Sequence, residues 1–283
     1  MKRRTFLSHS ASTLLMATAA PISATAGEFT GKIKKSLKWS MAEKAARGMT
    51  LPDAFSKLRD CGFEGVEPSV LAGHVKDPSE WLEASKRSGL VIDGTVGGRL
   101  GVLESGIDTT KAIGGETMLI VVEYDITKPL MAQWNQSRDR LKEAAPYAEK
   151  LGVRIVIENV WNTFFTSPFD LARFVDEVGS QWVQVQFDVG NVMRWGVPEH
   201  WMEVLGKRSF KLDVKEYDLE IALSQGMRKG FDKPLGEGSI NWAAVRRELS
   251  TINYSGWAAA EVKAGDWPYL ADVARRMGTV LDV

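Results

Sequence analysis

The stretch of sequence that decides the fold is residues 153–218. It contains three runs that are apolar in their bodies and acidic at or near their ends: VRIVIEN (153–159), WVQVQFD (182–188) and SFKLDVK (209–215). An apolar run that closes on a carboxylate is typical of a strand whose body is buried in a core and whose tip belongs to a site. The runs therefore predict three parallel strands with acidic tips.

The acids of these runs follow the repeat of a strand and a crossover helix. Glu158, Asp188 and Asp213 lie 30 and 25 residues apart, which is the length of one strand plus one helix. A fourth acid, Glu261, ends the later run WAAAE (257–261). Four carboxylates brought together repel one another and do not all stay ionised unless a cation neutralises them. The occurrence of four acids at the ends of predicted strands therefore predicts a metal or acid–base site.

Outward from this stretch, strand-like and helix-like segments alternate about eight times with no break in composition. Proline at helix starts and glycine after helix ends mark several boundaries, as at Pro78 and Gly89. The first strand is predicted over residues 37–41, after a polar lead-in at 28–35. The alternation predicts an α/β fold, a single (β/α)₈ TIM barrel over residues 27–283, with its site at the carboxyl ends of the strands. A doubly wound sheet is the alternative, but no glycine-rich phosphate loop follows the first strand.

The N-terminus has the pattern of an export signal. Lys2, Arg3 and Arg4 precede an apolar, small-residue stretch (11–20) and the cleavage-like motif ATA (24–26). The paired arginines followed by Phe-Leu resemble a twin-arginine signal. Residues 1–26 are therefore predicted to be a signal peptide, and the protein to be exported, periplasmic or extracytoplasmic. A basic tail or a short membrane anchor is the alternative, although the apolar stretch is short for a bilayer.

Composition and charge exclude several classes of function. Three of the 36 basic residues and none of the 36 acidic ones lie in residues 1–26, so the remaining chain has a net charge of about −3. That balance argues against a nucleic-acid surface, which needs a basic patch. No later segment is long and apolar enough for stable membrane insertion. The single Cys61 excludes an intramolecular disulfide and a cysteine-rich zinc site.

The donor types at the strand tips favour a hard metal ion. Carboxylate oxygens suit Mg²⁺ and Mn²⁺, whereas zinc would be expected to bring histidine or cysteine. After residue 26 only His74 and His200 remain, and neither lies at a predicted strand tip. His74 follows the second strand and is a candidate substrate contact, whereas His200 is interpreted as a helix residue. The predicted metal ligands are Glu158, Asp188, Asp213 and Glu261.

The run from the fifth to the eighth predicted strand resembles the xylose isomerase-like barrel superfamily of sugar isomerases and epimerases. Ile-Glu158-Asn159 is similar to its strand-five glutamate motif, and Asp188-Val-Gly-Asn191 to its strand-six aspartate motif. Glu261 matches its strand-eight glutamate, and residues 236–242 match the loop before its seventh helix. The superfamily includes ketose 3-epimerases, hydroxypyruvate isomerases and myo-inosose dehydratases, with endonuclease IV a distant relative. These motifs indicate a family and not a substrate.

Two positions depart from the family's pattern. Its strand-seven ligand is usually a histidine followed by Val-Lys-Asp, where this chain has Asp213-Val-Lys215-Glu216. Its epimerases also often carry a histidine three residues after the strand-six aspartate, where this chain has Asn191. An aspartate in place of a histidine keeps a ligand and adds a negative charge, which favours Mg²⁺ or Mn²⁺. If Asp213 does not bind the ion, three ligands remain.

The resemblance implies a metal-dependent isomerase or epimerase that acts on a free sugar or keto-sugar through an enediolate intermediate. Glu158 and Glu261 are expected to be the catalytic base and acid on the two faces of the substrate. The further residues predicted to contact the substrate or to orient the site are Glu67, His74, Asn159, Trp161, Asn191 and Lys215.

Alternatives remain open at this point. A lyase or dehydratase of keto-sugars or 3-keto-glycosides would use the same proton abstraction, and a non-catalytic sugar-binding barrel would use the same pocket. The tip carboxylates could also pair with Lys211, Lys215 and Lys263 in a metal-free barrel. The predicted partner is a small-molecule carbohydrate, without nucleic acid, and a homo-oligomer is possible.

Overall fold

The computed structural model of the protein describes residues 26–283. The predicted export signal therefore lies, except for its last residue, outside the described part of the chain. The strands of this part are β1 (Ile33–Leu37), β2 (Gly65–Val66), β3 (Val91–Ile92), β4 (Gly94–Gly98), β5 (Thr117–Ile120), β6 (Arg154–Glu158), β7 (Val183–Asp188), β8 (Ser209–Val214) and β9 (Gly256–Ala260). The α-helices are α1 (Leu51–Asp60), α2 (Pro78–Ser88), α3 (Leu103–Ala112), α4 (Leu130–Leu151), α5 (Pro168–Val178), α6 (Val189–Val192), α7 (Pro198–Leu205), α8 (Leu219–Gln225), α9 (Trp242–Thr251) and α10 (Trp267–Leu281).

The strands form a closed parallel ring. Seven of them pair in the order β4, β5, β6, β7, β8, β9, β1. β2 pairs with β3, and isolated bridges join it to both sides of the ring, Lys38 to Glu67 and Ser69 to Val96. β3 and β4 are separated by one residue and occupy one position, so the eight positions of a barrel are filled. The predicted (β/α)₈ TIM barrel is confirmed.

The alternation of side chains along β8 determines which of them fill the barrel interior. Successive side chains of a strand point to opposite faces, and Leu212 and Val214 are fully buried on the face that packs against the helices. The opposite face carries Lys211 and Asp213, which are 1% and 0% exposed. TIM-barrel interiors are usually filled by branched apolar side chains. Here the interior is charged, and it leads up to the carboxyl ends of the strands.

The helix boundaries follow the expected capping residues. Proline occupies the first turn of α1, α2, α5, α7 and α10, where the missing N–H costs no hydrogen bond. Gly89 ends α2 in the left-handed conformation with a φ of 72°, as predicted. Among the helices of residues 26–283, none combines the length and the apolar character needed to cross a membrane.

The predicted position of the first strand is wrong. β1 covers Ile33–Leu37, so it begins within the segment that was interpreted as a polar lead-in (28–35) and shares only Leu37 with the predicted strand (37–41). Lys34 and Lys35 hid the strand, because their long stems pack along apolar surface while their charged ends reach outward. The Lys34 ammonium lies 5.2 Å from the Trp257 ring, and Lys35 Nζ donates to the Ala274 carbonyl at 3.2 Å. The shift places Lys38 directly after the strand.

Candidate metal centre

The four acids predicted from the strand tips lie together at the carboxyl ends of β6 to β9. Each offers one carboxylate oxygen, and these four oxygens lie within 4.8 Å of one another. Asp188 and Asp213 are fully buried, Glu158 is 6% exposed, and the side chain of Glu261 is 30% exposed. We refer to this set as the acid cluster, which consists of Glu158, Asp188, Asp213 and Glu261.

Two lysine ammonium groups lie among these carboxylates. Lys38 Nζ is 2.9 Å from Asp213 Oδ2 and 3.1 Å from Glu261 Oε2. Lys215 Nζ is 2.7 Å from Asp188 Oδ2 and 2.6 Å from Glu261 Oε2. Four negative and two positive groups leave two negative charges, which is the charge that one divalent cation neutralises. Of the lysines that sequence reasoning considered as partners, Lys215 does pair with the cluster.

The acids of the cluster respond differently to this environment. Burial raises the pKa of Glu158 well above its usual range, Lys38 opposes the rise in part, and neighbouring acids such as Glu261 add to it. Burial also raises the pKa of Glu261, but the ammonium groups of Lys38 and Lys215 outweigh it and hold that pKa below its usual range. Glu158 is therefore the member that most readily takes up a proton when no cation is bound.

Burial and neighbouring charges also compete at Asp188 and Lys215. Burial raises the pKa of Asp188 to about 6, against the attraction of Lys215. Burial lowers the pKa of Lys215, but Asp188 and Glu261 outweigh it and hold that pKa above its usual range. Both lysines therefore remain cations at neutral pH, because burial likewise lowers the pKa of Lys38 less than its acidic neighbours raise it.

The donors left over in the cluster fit a divalent ion. Asp188 Oδ2 and Glu261 Oε2 are buried and accept no hydrogen bond of normal geometry, although Lys215 lies close to both. Buried carboxylate oxygens without hydrogen bonds are costly unless a cation satisfies them. The donor set and the residual negative charge agree with a buried metal site.

Two asparagines orient the acids. Asn159 Nδ2 donates to the Asp188 carbonyl at 2.9 Å, and the Asp188 N–H donates to Asn159 Oδ1 at 2.8 Å, which ties the ends of β6 and β7 together. Asn191 Nδ2 donates to Glu158 Oε1 at 3.1 Å, and its own N–H donates to Asp188 Oδ1 at 2.8 Å. Asn159 is buried and does not line the pocket, whereas Asn191 does.

A pocket of about 930 Å³ opens above the acid cluster and includes Glu158, Glu261 and Lys215 in its lining. One wall is aromatic: the rings of Trp161 and Phe231 have centroids 5.0 Å apart. The Trp161 indole N–H donates to the Asn191 carbonyl at 2.8 Å and fixes the ring in this wall. The structure thus places the predicted substrate contacts Trp161, Asn191 and Lys215 in one pocket.

Two other predicted substrate contacts lie elsewhere. Glu67 is fully buried in the barrel interior, where it accepts a hydrogen bond from Lys211. His74 Nδ1 accepts from the Ser69 N–H at 2.9 Å, and its Nε2 lies 3.1 Å from Glu43 Oε1. Neither residue lines the pocket. The structure therefore does not place these two residues next to a substrate.

Sequence reasoning assigned no role to Glu216, which shapes one side of the pocket. This residue is 2% exposed and accepts hydrogen bonds from the Gly236 N–H at 2.7 Å and the Trp242 indole N–H at 2.9 Å. A Cβ at Gly238 would lie 2.5 Å from Glu216 Oε1, so only glycine allows the loop to approach the carboxylate this closely. The glycines of residues 236–238 thus fit the loop onto the end of β8.

Glu216→Gln is expected to lower the free energy of unfolding by about 1–3 kcal/mol, because the amide turns an N–H toward a buried donor. Chemical denaturation monitored by circular dichroism measures the loss. Glu237→Gln is the matched control, since Glu237 is a neighbouring acid that forms an exposed ion pair with Arg276 at 2.7 Å. Its replacement is expected to change stability by less than about 1 kcal/mol. Equal effects of the two changes would contradict the role of Glu216.

The charged interior of the barrel, which was not predicted, left a partial signal in the sequence. In SFKLDVK the polar residues Lys211, Asp213 and Lys215 alternate with apolar ones, so they share one face of the strand. That alternation could have identified a charged interior. Lys38 had no comparable signal, because its partner Asp213 is 175 residues away in the chain.

Residues 55–278 match the family described as Xylose isomerase-like TIM barrel. The chain belongs to this family. Among curated proteins of the family's chemistry, the chain is 22% identical over 143 residues to an inosose dehydratase of Clostridium perfringens, a match that covers 46% of this chain and 48% of that protein. The chain spans about half the length of the curated relatives it matches.

Solved structures show the same xylose isomerase-like barrel. The 3-keto-D-glucoside 4-epimerase from E. coli superposes with a TM-score of 0.71 at 15% identity and covers 88% of this chain and 99% of its own. A D-psicose 3-epimerase superposes with a TM-score of 0.70 at 14% identity and covers 88% and 100%. At these identities the likeness shows the fold.

Proposed function

We propose that the protein is a metal-dependent isomerase or epimerase of a free sugar or keto-sugar. The observation that carries the proposal is the acid cluster, whose four carboxylate oxygens lie within 4.8 Å of one another and whose members Glu158 and Glu261 line the pocket. Membership of the xylose isomerase-like family and similarity to sugar epimerases support this class of chemistry.

Carboxylates of the acid cluster would hold the ion, and an oxygen-only donor set suits Mg²⁺ or Mn²⁺. When bound, such an ion polarises the carbonyl and the adjacent hydroxyl of a keto-sugar, which makes the proton between them more acidic. The four acids together with Lys38 and Lys215 leave two negative charges, which agrees with an ion of charge +2.

Glu158 and Glu261 are the groups that would move the proton. Glu158 is the last residue of β6, and Glu261 directly follows β9. The two strands are three positions apart in the ring, and both residues line the pocket. A carboxylate on one side of the sugar accepts the proton from carbon, which gives the enediolate, and the acid on the other side returns a proton. Asn191 holds Glu158 in position through the hydrogen bond to Oε1.

Other pocket residues would bind the sugar. Lys215 lies beside Glu261 and can donate to a sugar hydroxyl or to the charged oxygen of the enediolate. The wall formed by Trp161 and Phe231 offers an apolar surface against which the C–H face of a sugar ring packs.

A dehydratase or lyase is the second candidate, and the similarity to an inosose dehydratase favours it. The first half of the reaction is the same removal of a proton next to a carbonyl. The carbonyl then re-forms from the enediolate, its C=C bond shifts by one carbon, and the C–O bond to a leaving group on the neighbouring carbon breaks. An acid of the pocket gives the leaving oxygen its proton. The pocket of about 930 Å³ accommodates either kind of substrate.

Solvent exchange tests the proposal directly. Incubation of the Mn²⁺- or Mg²⁺-loaded protein with ketoses and 3-keto-glycosides in D₂O is expected to place deuterium on the carbon next to the carbonyl, as read by NMR. Removal of the metal with a chelator should abolish the exchange, and readdition should restore it. Deuterated epimers indicate an epimerase, and loss of a leaving group indicates a lyase. Binding of sugars without any exchange would contradict both and would indicate a sugar-binding barrel.

A further inference from the structure

Asp213 differs from the other members of the acid cluster in how its oxygens are used. Its Oδ1 accepts a hydrogen bond from Gln186 Nε2 at 2.8 Å, and its Oδ2 accepts one from Lys38 Nζ at 2.9 Å. The carboxylate is fully buried, so no water supplies further donors. Asp188 Oδ2 and Glu261 Oε2, in contrast, are buried without a hydrogen bond of normal geometry.

Lys38 is fixed beneath the pocket. It directly follows β1, where it bridges to Glu67 of the neighbouring strand position, and its N–H donates to the Ala260 carbonyl at 3.2 Å. Its side chain is 6% exposed and does not line the pocket. The ion pair with Asp213 is therefore a buried unit without net charge.

Lys215 is placed differently. Its side chain is 12% exposed, it lines the pocket, and its ammonium group lies between Asp188 Oδ2 and Glu261 Oε2. Asp188 Oδ2 has no other donor, whereas Glu261 Oε2 also lies 3.1 Å from Lys38 Nζ. An ammonium group thus already lies between these two oxygens, on a side chain that lines the pocket.

We propose that Lys38 and Gln186 bind Asp213 so completely that Glu158, Asp188 and Glu261 alone supply the protein ligands of the metal ion. This inference rests on the proposed function for the presence of the ion. Lys38 is then a positioning residue: it neutralises Asp213 and keeps that carboxylate out of the metal shell. Three protein ligands leave about half of a six-coordinate shell open, which suits chelation by two neighbouring oxygens of a sugar.

Because Lys38 and Asp213 neutralise each other, replacement of either residue alone is expected to have opposite effects on metal affinity. Lys38→Met removes the neutralising charge and frees Asp213, so the ion is expected to bind more tightly. Asp213→Asn leaves the proposed ligand Glu261 as the remaining partner of the Lys38 ammonium, which is expected to weaken metal binding by about 10- to 100-fold. The double variant Lys38→Met/Asp213→Asn removes a neutral unit, and its affinity is expected to return to within about threefold of the wild type, as for strongly coupled residues.

Titration calorimetry of Mn²⁺ with the wild type, both single variants and the double variant tests the inference. Glu261→Gln is the control that removes a predicted ligand, and it is expected to lose affinity that no change at Lys38 restores. Lys38→Met/Asp213→Leu is a second version of the double change, since an apolar pair replaces a buried ion pair with little cost to folding.

The possible outcomes test the shell of three carboxylates separately from the proposed metal-dependent function. Recovery of Mn²⁺ affinity in the double variants supports a shell of three carboxylates. Mn²⁺ binding by the wild type that the double variants do not recover would show Asp213 to be a ligand, which overturns the inference and leaves the proposed function intact. A wild type that binds no divalent ion overturns both.

Discussion

Glu261→Gln is expected to lower turnover by about a thousandfold while the protein remains folded, since general acid–base catalysis contributes about 10²–10⁴-fold. Glutamine has nearly the same shape as glutamate but neither accepts nor returns a proton. Lys38 and Lys215 keep Asp213 and Asp188 as partners after the change, so the protein is expected to remain folded. The rate of deuterium incorporation measures turnover, and thermal unfolding checks the fold. Saturating Mn²⁺ keeps weaker metal binding from being read as slower proton transfer.

Glu158→Gln is expected to have an effect of the same order, because the mechanism needs a carboxyl group on each side of the substrate. Asp266→Asn is the matched control: Asp266 is an exposed acid in the lining of the same pocket, and asparagine retains its role as the N-cap of α10. The control is expected to keep near wild-type turnover. Substantial activity in either glutamine variant would contradict the assigned catalytic roles.

The largest effect on stability is expected from Lys211→Met in the barrel interior. Lys211 is 1% exposed and pairs with Glu67 and Asp93, both of which are fully buried. Without the lysine, two carboxylates remain in an interior that water does not reach. Removal of one partner of a buried ion pair typically costs about 3–5 kcal/mol, which corresponds to a decrease in melting temperature of roughly 10 °C for a chain of this size.

The stability loss should depend on pH. Burial raises the pKa of Glu67 to about 7 even though Lys211 opposes the rise. Glu67 therefore takes up a proton in the folded state as the pH falls through about 7, and a neutral carboxyl needs the lysine less. Lys211→Met is thus expected to cost more at pH 8 than at pH 6, as measured by thermal unfolding at both values.

Lys128→Met is the control for this experiment. Lys128 forms an ion pair with Asp125 at 3.3 Å, but its side chain is 67% exposed, and exposed pairs contribute about 0–1 kcal/mol. The control is expected to melt within a few degrees of the wild type. If Lys211→Met were as stable as Lys128→Met, the interior charges would have to be satisfied in some other way.

The acid cluster is a part of the site that strand patterns in the sequence predicted. Glu158 and Asp188 were predicted to lie together because each ends an apolar run in a repeat of strand and helix. In a parallel barrel, residues at equivalent strand ends meet around one opening. The chemistry of the site therefore follows from periodicity without knowledge of any side-chain contact.

The same reasoning failed at the first strand. Lys34 and Lys35 made residues 33–35 look like part of a polar lead-in, although these residues belong to β1. Long aliphatic stems let lysines cover apolar surface with their charges in water, and a pattern of residue types does not record this. Lys38 was placed near the tip of the first strand, but its pairing with Asp213 and Glu261 was not predicted.

By itself, the sequence determined the parallel barrel and the gathering of four acids at its carboxyl end, because both follow from local periods of two and about thirty residues. Only the tertiary structure decided which charges neutralise one another. Lys38 meets Asp213 across the closed ring, and Lys211 meets Glu67 and Asp93 inside it. Such pairs depend on ring closure and strand register, which bring residues more than a hundred positions apart within 3 Å, and no local pattern specifies them.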